Sequence, residues 1–174
     1  MVNYRLQAVF DEARGVAVSP RVSWSFPTGD HQKGLGLGGG GLQVNLPISK
    51  TLGRSLVSHT NAGASWFSRA PGAGDASTSL HNVFLGQSLI WLARSRFNLL
   101  VETVWMRATT ESDAGTGVQE SVFIIPGIRW GYDVRGGLQI VPGIGVPIGI
   151  GSSNGTRQLF LYLSLEHPFT ATAK

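Results

Sequence analysis

His59 and Asn61 are the residues whose types and spacing most suggest chemistry in this chain. A spacing of two residues places both side chains on one face of a β-strand, and with a serine they would make the residue set of a serine–histidine–asparagine hydrolase. That chemistry needs a nucleophile within hydrogen-bond reach of the imidazole, and the adjacent Ser58 belongs to the opposite face. We therefore predict a hydrogen-bonding role for the pair, with ligand contact as an alternative, and no enzyme activity.

Two further patterns carry weaker signals. Residues 36–41 fit the string G-x-G-x-x-G, but no helical pattern follows them and no acidic residue stands at the distance of a ribose contact. Glycines within a strand more often mark a bulge, and the change of apolar parity between Leu37 and Leu42 predicts one here. The other histidines, His31, His81 and His167, are scattered and cysteine is absent, so the sequence predicts no metal site and no cofactor.

Apolar and polar residues alternate along most of the chain. Between Val16 and Phe26 the even positions are apolar, while Arg21, Ser23 and Ser25 share the other face, as a period of two requires. Charged residues of both signs occupy this second face, where they must be paired or hydrated. We predict that it lines a wet interior and the path of a substrate, formed by Arg21, Gln43, Asn45, His59, Asn61, Glu102, Arg129, Gln139, Tyr162 and Glu166.

All five tryptophans fall near the ends of alternating segments and on the apolar parity. This arrangement is typical of the aromatic girdle of a membrane β-barrel, whose apolar side chains face lipid. We predict an outer belt that contains Trp24, Trp66 and Trp105. We predict an inner belt formed by Trp91, Phe97, Trp130, Tyr132 and Phe169.

Turn signals divide the chain into about nine strands, at roughly 2–10, 16–26, 35–47, 54–67, 79–92, 97–108, 118–132, 137–150 and 157–169. Short connections alternate with longer ones, at 27–34, 68–78, 109–117 and 151–156. The alternation indicates an antiparallel transmembrane up-and-down barrel with periplasmic turns, extracellular loops and a periplasmic C-terminus. Because bacterial single-chain barrels normally have an even strand count, nine strands indicate either missing strands at the N-terminus, in a larger barrel of about 12, or a miscounted strand.

The composition fits a membrane barrel. Of 174 residues, 42% are hydrophobic and only 14% are charged, and no run of about eighteen apolar residues exists, which excludes a transmembrane helix. The net charge of +4 is scattered, so no nucleic-acid partner is predicted. The first residues already alternate as a strand where a secretory signal would stand. We therefore expect residues 1–174 to be one barrel domain that lacks its signal peptide and first strands.

Several short motifs, in their order and spacing, give the chain a resemblance to a known family. They are Ser19-Pro20-Arg21, Phe26-Pro27-Thr28-Gly29-Asp30, Gln43-Val44-Asn45-Leu46-Pro47, His59-Thr60-Asn61-Ala62-Gly63, Val101-Glu102, Pro126-Gly127-Ile128-Arg129 and Glu166-His167-Pro168-Phe169. With these motifs the chain resembles the outer-membrane family of transporters associated with the MetA pathway of phenol degradation. The resemblance covers nearly the whole chain. One departure is the segment 170–174, which follows Phe169 where outer-membrane chains usually stop on an aromatic residue.

The resemblance implies a location in the bacterial outer membrane and a defined set of partners. These partners are the lipid bilayer, a small hydrophobic or aromatic permeant and the outer-membrane assembly machinery. Passive passage of the permeant is the leading function. The alternatives are a structural or adhesion-type barrel without transport and an outer-membrane hydrolase. A soluble lipocalin-like barrel is the alternative fold, but it would place apolar residues inside.

A charge row near the periplasmic end is the last expectation. A turn centred on Arg135 would place Arg129 opposite Val141, and a loop centred between 153 and 154 would place Val141 opposite Glu166. We predict that Arg129 and Glu166 pair across this row, with Glu102 as a second acceptor. Such a cluster would be the constriction that filters charged solutes.

Overall fold

A computed structural model of the chain describes residues 1–30, 33, 35, 38–68, 78–113, 115–134 and 136–166. These residues form one antiparallel sheet of thirteen strand segments and contain no α-helix. Segments that follow one another along the chain are mostly neighbours in the sheet, so the topology is up-and-down. The all-β antiparallel class predicted from the sequence is confirmed.

The thirteen segments follow in chain order. They are β1 (Val2–Arg5), β2 (Val9–Asp11), β3 (Val16–Val18), β4 (Arg21–Ser25), β5 (Gly41–Leu52), β6 (Leu56–Ser68), β7 (Thr78–Arg94), β8 (Phe97–Ser112), β9 (Gly115–Trp130), β10 (Tyr132–Asp133), β11 (Gln139–Gly145), β12 (Ile148–Ile150) and β13 (Phe160–Glu166). A 3-10 turn, Gly151–Ser153, follows β12.

Proline explains two of the breaks between segments. Pro20 separates β3 from β4, and Pro147 lies between β11 and β12. Proline has no N–H to donate to a ladder, so it interrupts a strand without changing its direction. Beyond the breaks, β3 and β4 pair with β5 in one register, and β11 and β12 pair with β9 in one register. Strands β9 and β10 also keep one register with β11, whereas β1 and β2 pair with β4 and β3 across a shift of one residue. Counted in this way, the thirteen segments make nine spans, the number predicted.

In the glycine-rich run 36–41, residues 36 and 37 fall outside the described residues, and Gly41 begins β5. Gly38, Gly39 and Gly40 precede the strand, and Gly38 has a φ of 71°. Glycine loses more conformational entropy than any other residue when a strand fixes it, so a strand through this run is unfavourable. The predicted strand 35–47 and its bulge are therefore wrong, and the strand is Gly41–Leu52.

The predicted loop 109–117 is also wrong, because this part of the chain continues the ladder. Strand β8 runs to Ser112 and β9 begins at Gly115, which lies directly opposite. Three threonines, a residue type that favours strands, lie in this segment. Gly115 has a φ of 129°, which suits a tight turn. Residues 27–30 and 151–156 do lie between strands, and 69–77 fall outside the described residues.

The two faces of the sheet differ in polarity and in burial. We call the face that carries His59 and Glu102 the polar face, and the opposite one, with Leu85 and Val101, the apolar face. All residues that are buried in the described sheet lie on the polar face, which indicates that the sheet curves around this face. They are Ser23, Asn45, Ser65, Ser88, Ile90, Val141, Gly143, Gly145, Pro147 and Gly149.

Strands β1 and β13 are the two free edges. Within the described part of the chain, β1 pairs only with β4, and β13 pairs only with β11. Closure into a barrel requires these edges to pair with each other or with further strands.

Gly63 and Gly86 provide a test of packing on the polar face. A β-carbon at Gly63 would lie 2.5 Å from the Phe84 ring and 2.5 Å from the Val44 carbonyl oxygen. A β-carbon at Gly86 would meet only backbone oxygens, at 3.8 and 4.0 Å. Because overpacking costs about 1–3 kcal/mol, we expect Gly63→Ala to lower the free energy of unfolding by about that amount.

The matched substitution Gly86→Ala should leave stability unchanged or slightly raised, since it removes only glycine's freedom in the unfolded chain. Denaturant unfolding of both variants measures the difference. Equal loss of stability in the two would contradict the packing of Phe84 over Gly63.

Candidate functional site

The ten residues predicted to line an interior all lie on the polar face. The register places Arg21 on β4, Gln43 and Asn45 on β5, His59 and Asn61 on β6, Glu102 on β8, Arg129 on β9, Gln139 on β11, and Tyr162 and Glu166 on β13. None of them shares a face with the predicted interface tryptophans. The candidate site is therefore a surface that extends over most of the sheet.

His59 is at the centre of a cross-strand row, which we call the His59 row. It consists of Ser49, His59, Ser88 and Glu102, each directly opposite the next on β5 to β8. Ser49 Oγ lies 2.7 Å from His59 Nδ1, a hydrogen-bond distance. In the part of the chain that the structure describes, this is the one hydrogen bond of the imidazole, which leaves Nε2 available.

Ser49 is the serine that the sequence argument missed. It lies ten residues before His59, and only the register of β5 with β6 brings the two side chains together. Ser58 does lie on the apolar face, where its hydroxyl accepts a hydrogen bond from Gln87 Nε2 at 2.9 Å. The expectation that no serine lies within reach of the imidazole is therefore wrong. The turn at Gly53, with a φ of 69°, was the signal in the sequence that could have predicted this pairing.

Four buried polar atoms on the polar face have no hydrogen-bond partner within the described ranges. They are Arg21 Nε, Ser23 Oγ, Asn61 Oδ1 and Ser88 Oγ. The Arg21 guanidinium still donates through Nη2 to Asn45 Oδ1 at 3.3 Å. Each unpaired buried group costs about 1–3 kcal/mol. The polar face thus holds hydrogen-bonding capacity that its own side chains do not use.

A cavity of about 200 Å³ adjoins the end of the His59 row, and we call it the Glu102–Arg129 cavity. Neither charged group forms an ion pair or hydrogen bond with another described residue, although both interact electrostatically with His59. A β-carbon at Gly143, on the cavity wall, would lie 3.2 Å from the Arg129 β-carbon, so the absence of a side chain there keeps the cavity open. The walls are formed mainly by Leu100, Glu102, Ile125, Arg129, Phe160 and Tyr162.

The predicted row of Arg129, Val141 and Glu166 is wrong by two residues at each step. Arg129 lies opposite Gly143, while Glu166 lies opposite Gln139. The turn is centred on Gly136, because Gly136 and Gly137 take positive φ values of 89° and 84° that Arg135 would adopt less readily. No ion pair joins Arg129 to Glu166 in the described sheet.

Arg129 and Glu166 nevertheless line a second cavity, of about 160 Å³. Its wall is more polar than that of the Glu102–Arg129 cavity and includes Arg96, Asn98 and Gln139. Gln139 Nε2 donates to Asp133 Oδ1 at 2.8 Å, which fixes the amide at this end of the sheet. Arg129 and Glu166 therefore line the same cavity without forming a direct ion pair.

Two of the predicted outer aromatics, Trp24 and Trp66, lie near one margin of the apolar face. Trp24 and Trp66 belong to one cross-strand row, with Leu42 between them. Trp105 lies within β8, and the next residue on the same face is Arg107, which pairs with Glu120 at 3.8 Å. On β8 and β9, charged side chains therefore replace apolar ones directly after Trp105.

The predicted inner aromatics lie at the other end of the strands. Trp91, Trp130 and Tyr132 are on the apolar face, and an ion pair between Arg96 and Asp133, at 2.6 Å, lies beside them. Phe169 falls outside the described residues. Within the described ranges, no helix is long and apolar enough to span a membrane, and no cluster of three potential metal ligands occurs.

Comparison with known proteins adds no assignment to this geometry. No protein-family model matches the chain, and no curated protein matches it either. The family resemblance therefore rests on the short motifs alone.

The Ser49–His59 hydrogen bond can be tested by a double-mutant cycle. A hydrogen bond contributes about 0.5–1.5 kcal/mol net, so Ser49→Ala and His59→Ala should couple by about 1 kcal/mol in the free energy of unfolding. The control cycle combines Ser58→Ala with His59→Ala, which should be additive because Ser58 lies on the other face. Coupling in the control, or none in the first cycle, would count against the assigned register.

Proposed function

We propose that this chain forms an outer-membrane β-barrel that passes small hydrophobic or aromatic compounds passively. The observation that carries the proposal is the inversion of the two faces: large apolar side chains of the apolar face are exposed, while the buried residues of the described sheet lie on the polar face. A soluble sheet buries its apolar face, so the inversion favours an apolar solvent outside.

The exposed apolar surface extends into the middle of the sheet and is not confined to its edges. Val83 is 50% exposed and Val101 is 49% exposed, although both lie on central strands. Contiguous apolar surface on this scale requires a cover. A lipid bilayer would provide this cover. Tryptophans lie at both margins of the apolar face, as they do at the two membrane–water interfaces of membrane proteins.

The polar residues of the apolar face also fit a lipid environment. Gln87 accepts a hydrogen bond from Thr60 Oγ1 at 2.6 Å and donates one to Ser58 Oγ at 2.9 Å. An unsatisfied polar group in hydrocarbon costs several kcal/mol, so this mutual pairing makes the cluster tolerable there.

A membrane barrel also requires that the free edges β1 and β13 be paired, because no water in the bilayer core can satisfy their backbone groups. We propose that further strands complete a barrel of about 12 strands, placed in the outer membrane by the assembly machinery. Membership of the MetA-pathway transporter family is part of this proposal.

The interior surface supports passage of amphipathic molecules. Charged and amide side chains alternate along it with Phe123, Ile125 and Val141. A purely hydrophilic ion pore would have fewer apolar residues on its lining, whereas an amphipathic permeant can use both kinds.

Two other functions remain as alternatives. A structural or adhesion-type barrel would use the buried polar face for rigidity. A hydrolase is favoured by one observation, the contact of Ser49 with His59. Against it, no described carboxylate or amide forms a hydrogen bond with the other imidazole nitrogen, which a triad requires.

Val101 and Val104 offer a matched test of membrane insertion, because they are the same residue type on opposite faces of β8. In lipid vesicles, Val101→Arg should lower the free energy of unfolding by about 2–4 kcal/mol if the residue lies near the midplane. Val104→Arg should cost much less, since it faces the wet interior. Equal costs, or a harmless Val101→Arg in a protein that stays soluble in buffer, would reject insertion.

Ion selectivity provides the test of transport. In planar bilayers under a salt gradient, Glu102→Gln should shift the reversal potential toward anion selectivity and Arg129→Gln toward cation selectivity, because each removes one interior charge. Glu120→Gln, on the apolar face, is the control and should change nothing. Folded and inserted protein that conducts no ions would favour the structural alternative.

A further inference from the structure

Glu102 and Arg129 face one cavity without satisfying each other. They lie on neighbouring strands, and Asn98, opposite Arg129, is four residues from Glu102 on β8. The backbone separation along the strand is therefore about 13 Å. A carboxylate only accepts hydrogen bonds and a guanidinium only donates them. The cavity thus presents an acceptor and a donor at two separate places.

The surface between these two charged groups is apolar and aromatic. Phe160 and Tyr162 form one wall and Leu100 and Ile125 contribute to another, with Gly143 leaving space between. Aromatic rings stack well against such walls, and the cavity volume of about 200 Å³ is large enough for a molecule with one ring.

The charges define what each end of this ring must carry. Arg129 matches a carboxylate, which it can bind through two parallel N–H donors. Glu102 repels a second carboxylate and requires a donor, such as a hydroxyl group. An uncharged hydrocarbon would leave both groups without partners, at a cost in free energy.

We infer that the Glu102–Arg129 cavity binds an aromatic acid whose ring carries a hydrogen-bond donor at the end opposite its carboxylate. This inference names the substrate class for the proposed function. It rests on that function because the ligand would reach the cavity along the barrel interior. Arg129 binds the carboxylate, Glu102 accepts the hydrogen bond from the donor, and Tyr162 contacts the ring.

Three probes that differ by one group test this inference: 4-hydroxybenzoate, 4-methylbenzoate and 4-methylphenol. Binding to the folded protein in detergent micelles is measured by calorimetry, with empty micelles as the blank. We expect 4-hydroxybenzoate to bind at least about tenfold more tightly than either of the others, because each of them lacks one charge-assisted hydrogen bond.

The variants give a crossover that a nonspecific site would not show. Arg129→Gln should weaken both acids about tenfold or more and leave 4-methylphenol unaffected. Glu102→Ala should weaken 4-hydroxybenzoate but strengthen 4-methylbenzoate, because it removes a repulsive charge. The control, Arg107→Gln on the apolar face, should change nothing. Arg129→Lys retains the charge and should recover part of the binding to both acids.

Equal affinity for the three probes, no binding at all, or identical behaviour of Arg129→Gln and Arg107→Gln would overturn the inference. Conductance of the same preparations separates it from the proposed function. A protein that conducts but shows no selective binding loses only this inference. A protein that binds selectively but does not conduct keeps the site and loses the channel.

Discussion

The antiparallel hydrogen-bond ladder is the constraint on which the rest of this structure depends. Successive side chains of a strand point to opposite faces, so a slip of one residue between neighbours would exchange the two faces completely. From β5 to β9 the ladder pairs each strand with the next in long, nearly uninterrupted runs. That continuity carries the polarity of one strand to the next. At Pro20 and Pro147 proline interrupts the ladder without altering the register of β3 and β4 with β5 or that of β11 and β12 with β9.

The ladder also explains why polar groups accumulate on the buried side. Small serines, with Gly63 and Gly86, let neighbouring strands present larger groups such as His59 and Phe84 without collision. The cost is that some hydroxyl and amide atoms lie too deep to find partners. The apolar face tolerates the polar side chain of Gln87 because its carbonyl oxygen and its amide nitrogen both have hydrogen-bond partners.

Face identity was predictable from the sequence because it requires only a period of two. Strand ends and pairing partners were not, because they depend on turns. The expected row through Arg129 failed when the turn proved to be centred on Gly136 and not on Arg135, a difference governed by which residues accept positive φ. Ser49 was missed for the same reason, since its contact with His59 follows from pairing and not from proximity in sequence.

Beyond Trp105, strand β8 stays paired with β7 on one side and with β9 on the other as far as Ser112, and Arg107 and Glu120 form an ion pair between β8 and β9. These seven residues of ladder extend the strand by about 24 Å past Trp105. A paired segment must open locally before a protease can bind it as an extended strand. The segment from Met106 to Ser112 is therefore expected to resist digestion, and this hairpin is expected to be cut first at its tip near Asp113.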